Sequence, residues 1–143
     1  MNFRGTLRRV AGAGLALAAV GAVLMAPATA GAAPTSVTAD PSTPFELIYG
    51  ATKASGTIRW HQRSADIDFT LKASYCRRFS AFVYDANGKE YPAGGRSTSL
   101  HCDATKSDSW NIPVNVPGGP SYAHLCLQDE NDRYLVCTRY DRP

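Results

Sequence analysis

The chain has 143 residues, 44% apolar and 19% charged, with twelve Gly, nine Pro and four Cys. These figures bound it to one small domain and exclude a multidomain enzyme or a large α/β barrel. Its formal charge of +3 comes from Arg4, Arg8 and Arg9, because after Ala30 twelve Lys/Arg balance twelve Asp/Glu. A neutral working domain argues against nucleic acid as a partner.

Arg4, Arg8 and Arg9 precede a charge-free apolar run from Val10 to Pro27, which ends at the small-x-small sequence Ala28-Thr29-Ala30. This is the three-part pattern of a secretory signal peptide over residues 1–30. The run is near the lower limit for spanning a bilayer, but its Ala- and Gly-rich composition and cleavage sequence favour export with no membrane attachment afterwards. The mature protein is then expected outside the cell, beginning at Gly31. An oxidising exterior permits disulfides, and Cys76, Cys102, Cys126 and Cys137 allow three pairings. A two-residue turn at Asn131-Asp132 would set Cys126 opposite Cys137 and leave Cys76 for Cys102. Zinc is disfavoured, because there is no Cys-x-x-Cys and the three histidines are scattered.

Residues 31–44 carry Pro34, Pro41 and Pro44 among Ala, Ser and Thr, which reads as a flexible N-terminal arm. From Phe45 to Asp141 the pattern is that of short strands. Phe45 to Tyr49 and Thr57 to His61 come first. Asp66 to Ala73 follows, with Ile67, Phe69, Leu71 and Ala73 on one face and Asp66, Asp68, Thr70 and Lys72 on the other. Phe79 to Tyr84 meets Asn87-Gly88, a hairpin signal that predicts a two-residue turn with Tyr84 opposite Tyr91. Pro92 to Gly95 should break the return strand, with a polar segment resuming over Arg96 to Cys102. Trp110, Ile112, Val114 and Val116 alternate with polar residues, and Pro113 demotes that strand to an edge. Pro117 to Pro120 forces a turn before a last hairpin of Tyr122–Gln128 and Arg133–Tyr140. About seven short strands without a helical period predict an all-β, disulfide-stabilised sandwich of immunoglobulin-like size. A crystallin-like Greek key is the runner-up.

Chemistry-bearing groups are sparse. His61, His101 and His124 would each need a nucleophile and an orienting acid, yet there is no Gly-x-Ser-x-Gly turn and the cysteines are committed elsewhere. Asp66, Asp68, Asp103, Asp108 and the Asp129-Glu130-Asp132 group fall on wet faces and turns, not across a cleft as a glycosidase requires. Asp129, Asn131 and Asp132 bunch oxygen ligands but lack the glycine and distal glutamate of a calcium loop. The reading is therefore non-enzymatic, without cofactor or metal. Trp60 and Trp110 alternate into the core. Arg59 and Arg63 flank Trp60, and Arg77 and Arg78 follow Cys76, while Tyr49, Tyr75, Tyr122 and Tyr140 read as exposed. Arginine and tyrosine are the usual anchors of protein interfaces. Arg59, Arg63, Arg77, Arg78, Tyr122 and Tyr140 are accordingly the candidate partner-binding residues. Val37, central to the arm segment Thr35 to Asp40, joins them, because an unpaired segment can add a strand to a partner's sheet edge.

Gly56-Thr57-Ile58-Arg59-Trp60, Tyr84-Asp85-Ala86-Asn87-Gly88, Val114-Asn115-Val116-Pro117-Gly118-Gly119, Leu125-Cys126-Leu127 and Val136-Cys137 together resemble small secreted proteins of filamentous actinobacteria. Among these the chain is similar, over about Phe45 to Tyr140, to the adapter subunit of umbrella toxin particles. That resemblance implies a protein that joins a lectin subunit to the spokes of a large secreted toxin subunit, with residues 31–44 as the donated strand. The leading expectation is a secreted protein-binding module. A carbohydrate-binding module would instead line up exposed Trp or Tyr on one face. A small inhibitor or antimicrobial protein would present a rigid protruding loop at Pro92–Arg96 or Pro117–Pro120.

Overall fold

The computed structural model describes residues 39–143. The expected leader over residues 1–30, Val37 and the expected arm up to residue 38 lie outside the described residues. Within them the chain forms nine strands and no helix: β1 (Ser42–Tyr49), β2 (Thr52–Trp60), β3 (Ser64–Lys72), β4 (Cys76–Tyr84), β5 (Glu90–Ser97), β6 (His101–Cys102), β7 (Thr105–Pro113), β8 (Tyr122–Gln128) and β9 (Tyr134–Asp141). One sheet runs β1-β2-β3-β7, and the other runs β5-β4-β8-β9 with β6 added on β4. All pairings are antiparallel. The chain crosses between sheets after β3, β6 and β7, so β7 lies beside β3 and β8 beside β4. The two antiparallel sheets make the small β-sandwich expected from the sequence. β1, β2 and β3 are consecutive neighbours in one sheet, and the crystallin-like runner-up is set aside.

The period-two pattern of β3 is realised as expected. Ile67, Phe69 and Leu71 are buried, and they face Phe79, Ala81 and Val83 of β4 and Leu125 and Leu127 of β8 in one core. Phe79 stacks on Phe45 at 5.7 Å and on Trp110 at 5.7 Å, and it meets Phe69 at 4.6 Å. Trp60 is fully buried and donates its indole N–H to Thr43 at 2.8 Å. Both tryptophans are therefore core residues. β7 is an edge strand that ends at Pro113, where the missing N–H costs no ladder bond.

Both disulfides form as expected, Cys76–Cys102 and Cys126–Cys137, and each joins directly opposed residues of neighbouring strands. The turn that leads to the second differs from the expectation. Asp129 N–H donates to Arg133 O and Asp132 N–H to Asp129 O, so the loop has three residues, with Asp132 at φ 59°. A register shift beyond Leu127 restores the alignment and brings Cys126 opposite Cys137. The Asn87-Gly88 turn is corrected in the same way. Asp85 N–H bonds Lys89 O, Gly88 N–H bonds Asp85 O, and Gly88 takes φ 78°, which is a three-residue loop with glycine in the left-handed position. Tyr84 thus opposes Glu90, and Tyr91 opposes Val83 and turns inward. The cause is an aspartate at the head of each loop. One Oδ of Asp85 accepts the N–H groups of Asn87 and Lys89, and one Oδ of Asp129 accepts those of Asn131 and Arg133. Pro92–Gly95 does not end the return strand, since β5 continues through it as a bulge opposite Phe82.

The arm is also shorter than expected. Ser42, Thr43 and Pro44 are the first residues of β1, in register with Arg59, Ile58 and Thr57, because their backbone groups find an open edge on β2. Pro41 O accepts the Trp60 N–H. Asp40 lies 2.6 Å from Nδ1 of His61, whose Nε2 lies 2.9 Å from Asp66. Carboxylates on both ring nitrogens call for an N–H on each, the imidazolium form. The hydrogen bonds to Asp66 and Asp40 outweigh the opposing burial and raise the His61 pKa above its ordinary 6.5. Burial pushes the Asp66 carboxyl up, but the Asn111 amide and His61 together hold it below its ordinary value. A raised histidine pKa stabilises the fold fully below pH 6.5, and that contribution is lost as pH rises through the raised folded value. The stability difference between wild type and His61→Gln, measured by urea unfolding across pH, is expected to be largest near about pH 5.5 and to shrink as His61 deprotonates. A difference that does not change with pH would remove the imidazolium from the anchor.

Candidate functional site

The turn from β3 to β4 is tied down at each residue. Ala73 N–H bonds Ala104 O. Ser74 gives its N–H to Thr52 Oγ1 and takes back the Thr52 hydroxyl proton on its carbonyl. Tyr75 N–H donates to the Asp103 carboxylate at 2.8 Å, and Tyr75 O accepts the Asp103 N–H. The Cys76–Cys102 disulfide sits immediately beside this exchange. Held this way, Tyr75 takes φ 63°, a left-handed conformation that is costly for a bulky side chain. The residue is nevertheless 72% exposed. Backbone strain of this kind persists where the surroundings over-determine it, and it clusters at sites of function.

Tyr75 does not stand alone. The Arg77 guanidinium lies 5.7 Å from the Tyr75 ring centroid and 6.0 Å from that of Tyr49, so two tyrosines from separate turns converge on one cation. Tyr49 is itself exposed, as are its neighbour Ile48 and Leu100, which precedes the β6 residue paired with Arg77. Arg77 donates to Cys76 O and forms no ion pair among the described residues. Residues 1–38 contain no Asp or Glu, so no side-chain carboxylate of the leader or arm could neutralise it. The result is an apex at one end of the sandwich, where two exposed tyrosine rings flank a guanidinium that has no ion-pair partner among the described residues.

The other candidates are placed as follows. Arg59, on the outer face of β2, pairs with Asp68 at 2.8 Å and reaches Asp66 at 3.9 Å. Arg78 pairs with Asp132. Tyr122 stacks on Tyr84 at 4.8 Å, with Arg139 over its ring at 3.8 Å. Tyr140 packs on Phe45 and donates its hydroxyl to Glu46 O. These four side chains are occupied by contacts within the domain. Arg63 lies in the β2–β3 turn, at the end opposite the apex. Val37 lies outside the described residues.

A sugar stacks on a free ring face; Tyr49, Tyr75 and Tyr134 are exposed, whereas the outer face of the second sheet pairs Tyr84 with Tyr122 nearly in parallel. Two groups at those distances cannot share one face of Tyr122, so Arg139 covers the other. Burial and the Glu90 acceptor push the Tyr84 hydroxyl up to about 12, which keeps it protonated and donating to Glu90 at 2.9 Å. Of the loops suggested for an inhibitor, Pro92–Gly94 and Pro117–Gly118 are exposed, whereas a Cβ on Gly95 would fall 2.3 Å from the Phe82 ring and one on Gly119 2.0 Å from Gln62 O. The Asp129 carboxylate, held below its ordinary range by backbone N–H groups of Arg133 and Asn131 and by the Arg133 side chain, is committed to its own turn. His101 Nε2 approaches Ser99 Oγ at 3.2 Å on an exposed segment, with no carboxylate orienting the ring. No family model, curated protein or solved structure matches the chain.

The sequence places Arg77 among the candidates, whereas Tyr49 and Tyr75 read only as exposed and the candidate tyrosines are Tyr122 and Tyr140. The left-handed backbone at Tyr75 is not readable from it, because its cause is the distant Asp103. Tyr75→Gly is expected to be more stable than Tyr75→Ala by about 1 kcal/mol in urea unfolding, since glycine accepts positive φ without a Cβ clash. An alanine variant equal to or more stable than glycine would place Tyr75 outside the left-handed region in solution.

Proposed function

We propose that this protein is a secreted, non-enzymatic module that binds another secreted protein through the Tyr49–Tyr75–Arg77 apex. The observation that carries this reading is Tyr75: an exposed ring on a strained, clamped backbone beside an arginine without a counter-ion. Tyr and Arg dominate interface hot spots, and a pre-ordered aromatic loses little entropy on binding. Two disulfides with no free cysteine among the described residues suit an extracellular setting.

The arm gives a second contact in this reading. Anchored at Asp40 and Pro41, it leaves residues 31–38 to pair with a partner's sheet edge, a reach of about 26 Å if extended. Two contact regions on one small domain fit an adapter, and the resemblance to adapter subunits of umbrella toxin particles proposes a lectin subunit and a large toxin subunit as the partners.

The test is affinity purification of the tagged protein from the medium of its native producing culture, followed by mass spectrometry. Wild type, Tyr75→Ala/Arg77→Ala, a form lacking residues 31–38 and the exposed control Lys106→Ala are compared, each checked for cooperative unfolding. Wild type and Lys106→Ala are expected to retain a common secreted partner, and the apex double variant to lose it. Loss in the truncated form would add the arm to the interface. A protein recovered alone in every form would overturn the reading.

A further inference from the structure

The domain's arginines divide sharply by what they touch. Arg59, Arg78, Arg133 and Arg139 each pair with a carboxylate, and Arg77 and Arg96 lie over aromatic rings. Among the described residues Arg63 and Arg142 do neither. Both instead line a single recess of about 310 Å³, completed by Gln62, Val116, Pro117 and Gly118. We infer that this recess is an oxyanion-binding site, taking a carboxylate, sulfate or phosphate ester group carried on a small organic molecule.

Three features carry the inference. The first is charge: two arginines and no acidic residue line the recess, and residues 1–38 contain no Asp or Glu. The cations therefore lack a side-chain carboxylate within the chain, although the domain after Ala30 holds as many acids as bases. Guanidinium is a planar fork of donors matched to two oxygens of one anion.

The second is construction. Arg142 donates through one terminal nitrogen to Gly118 O at 3.3 Å and Pro120 O at 3.4 Å, and its backbone N–H bonds Ser121 O. Its Nε and second terminal nitrogen have no hydrogen-bond partner among the described residues. The loop that forms the far wall is closed by Gly119 N–H to Val116 O, and Arg63 O accepts the Val114 N–H at 2.7 Å. Gly119 has φ 63°, and a Cβ there would lie 2.0 Å from Gln62 O. Only glycine lets the two walls approach so closely, so the recess is formed before any ligand arrives.

The third is size and lining. The volume is at the lower end for small-molecule sites. Val116 and Pro117 supply an apolar wall beside the two cations, and Gln62 supplies an amide, which suits an anionic group on a compact carbon body. The site lies at the end of the sandwich opposite the apex and is independent of the protein-binding reading.

The experiment is an NMR titration at low ionic strength that follows the Arg63 and Arg142 side-chain Nε–H signals, with glucuronate, glucose 6-phosphate and inorganic sulfate as probes and glucose as the neutral reference. At least one organic anion is expected to shift both signals and saturate, while glucose does not. Arg63→Ala and Arg142→Lys should each weaken that binding about tenfold or more, the loss of a charge-assisted contact. Lys106→Ala, which removes a remote charge, should change it by no more than about twofold. Arg63→Ala removes no hydrogen bond of the fold, so its result stands even if an Arg142 variant is unstable. Saturable binding of sulfate alone would overturn the organic body of the ligand. Equal weakening by Lys106→Ala, or no shift with any anion, would overturn the site.

Discussion

The packing of Phe79 is the contact on which the rest of the structure depends. Its ring meets Phe45 of β1, Phe69 of β3 and Trp110 of β7, so one side chain of the second sheet touches three strands of the first. The strand that carries it, β4, pairs with β5, β6 and β8. Aromatic burial of this size supplies much of the driving force in a small domain. It also fixes where the start of β4 emerges, and there Cys76 and Arg77 stand three and two residues before Phe79. The geometry of the apex is thus inherited from the core, with the Cys76–Cys102 bond and the Asp103 carboxylate completing the hold on Tyr75.

What the sequence disclosed follows the range of the forces involved. Alternation along β3 was plain, because each residue reports its own side of the pleat. Trp60 and Trp110 could be assigned to the core, and Pro113 to an edge, on the same local grounds. The hairpins were located but misregistered by one residue, because Asp85 and Asp129 each collect two backbone N–H groups and thereby favour a three-residue loop. The cysteine pairing survived that error at Cys126–Cys137, since the register shift beyond Leu127 compensates for the longer turn. Pro44 was assigned to a loose arm from its composition, although the open edge of β2 captures it in a strand.

The candidate sites were legible only as residue types. Arg63 was singled out beside Trp60, but Arg142 was not. Their meeting depends on Gly119 pressing on Gln62 from a loop more than fifty residues away. Arg59 and Arg78 looked equivalent to Arg63 and Arg77 in sequence. Folding gives the first two carboxylate partners from other strands or turns and leaves the second two without. In a domain whose charges balance, Arg63 and Arg77 lie at opposite ends of the sandwich without an acid among the described residues.

The account rests on the apex being ordered before any partner arrives, and the backbone order parameter of Tyr75 from ¹⁵N relaxation of the oxidised protein tests that most directly. A value near about 0.85, level with the adjoining strands, is the result predicted for a rigid backbone. A value below about 0.6 would describe a flexible loop and would contradict the claim that the disulfide and Asp103 hold Tyr75 in place.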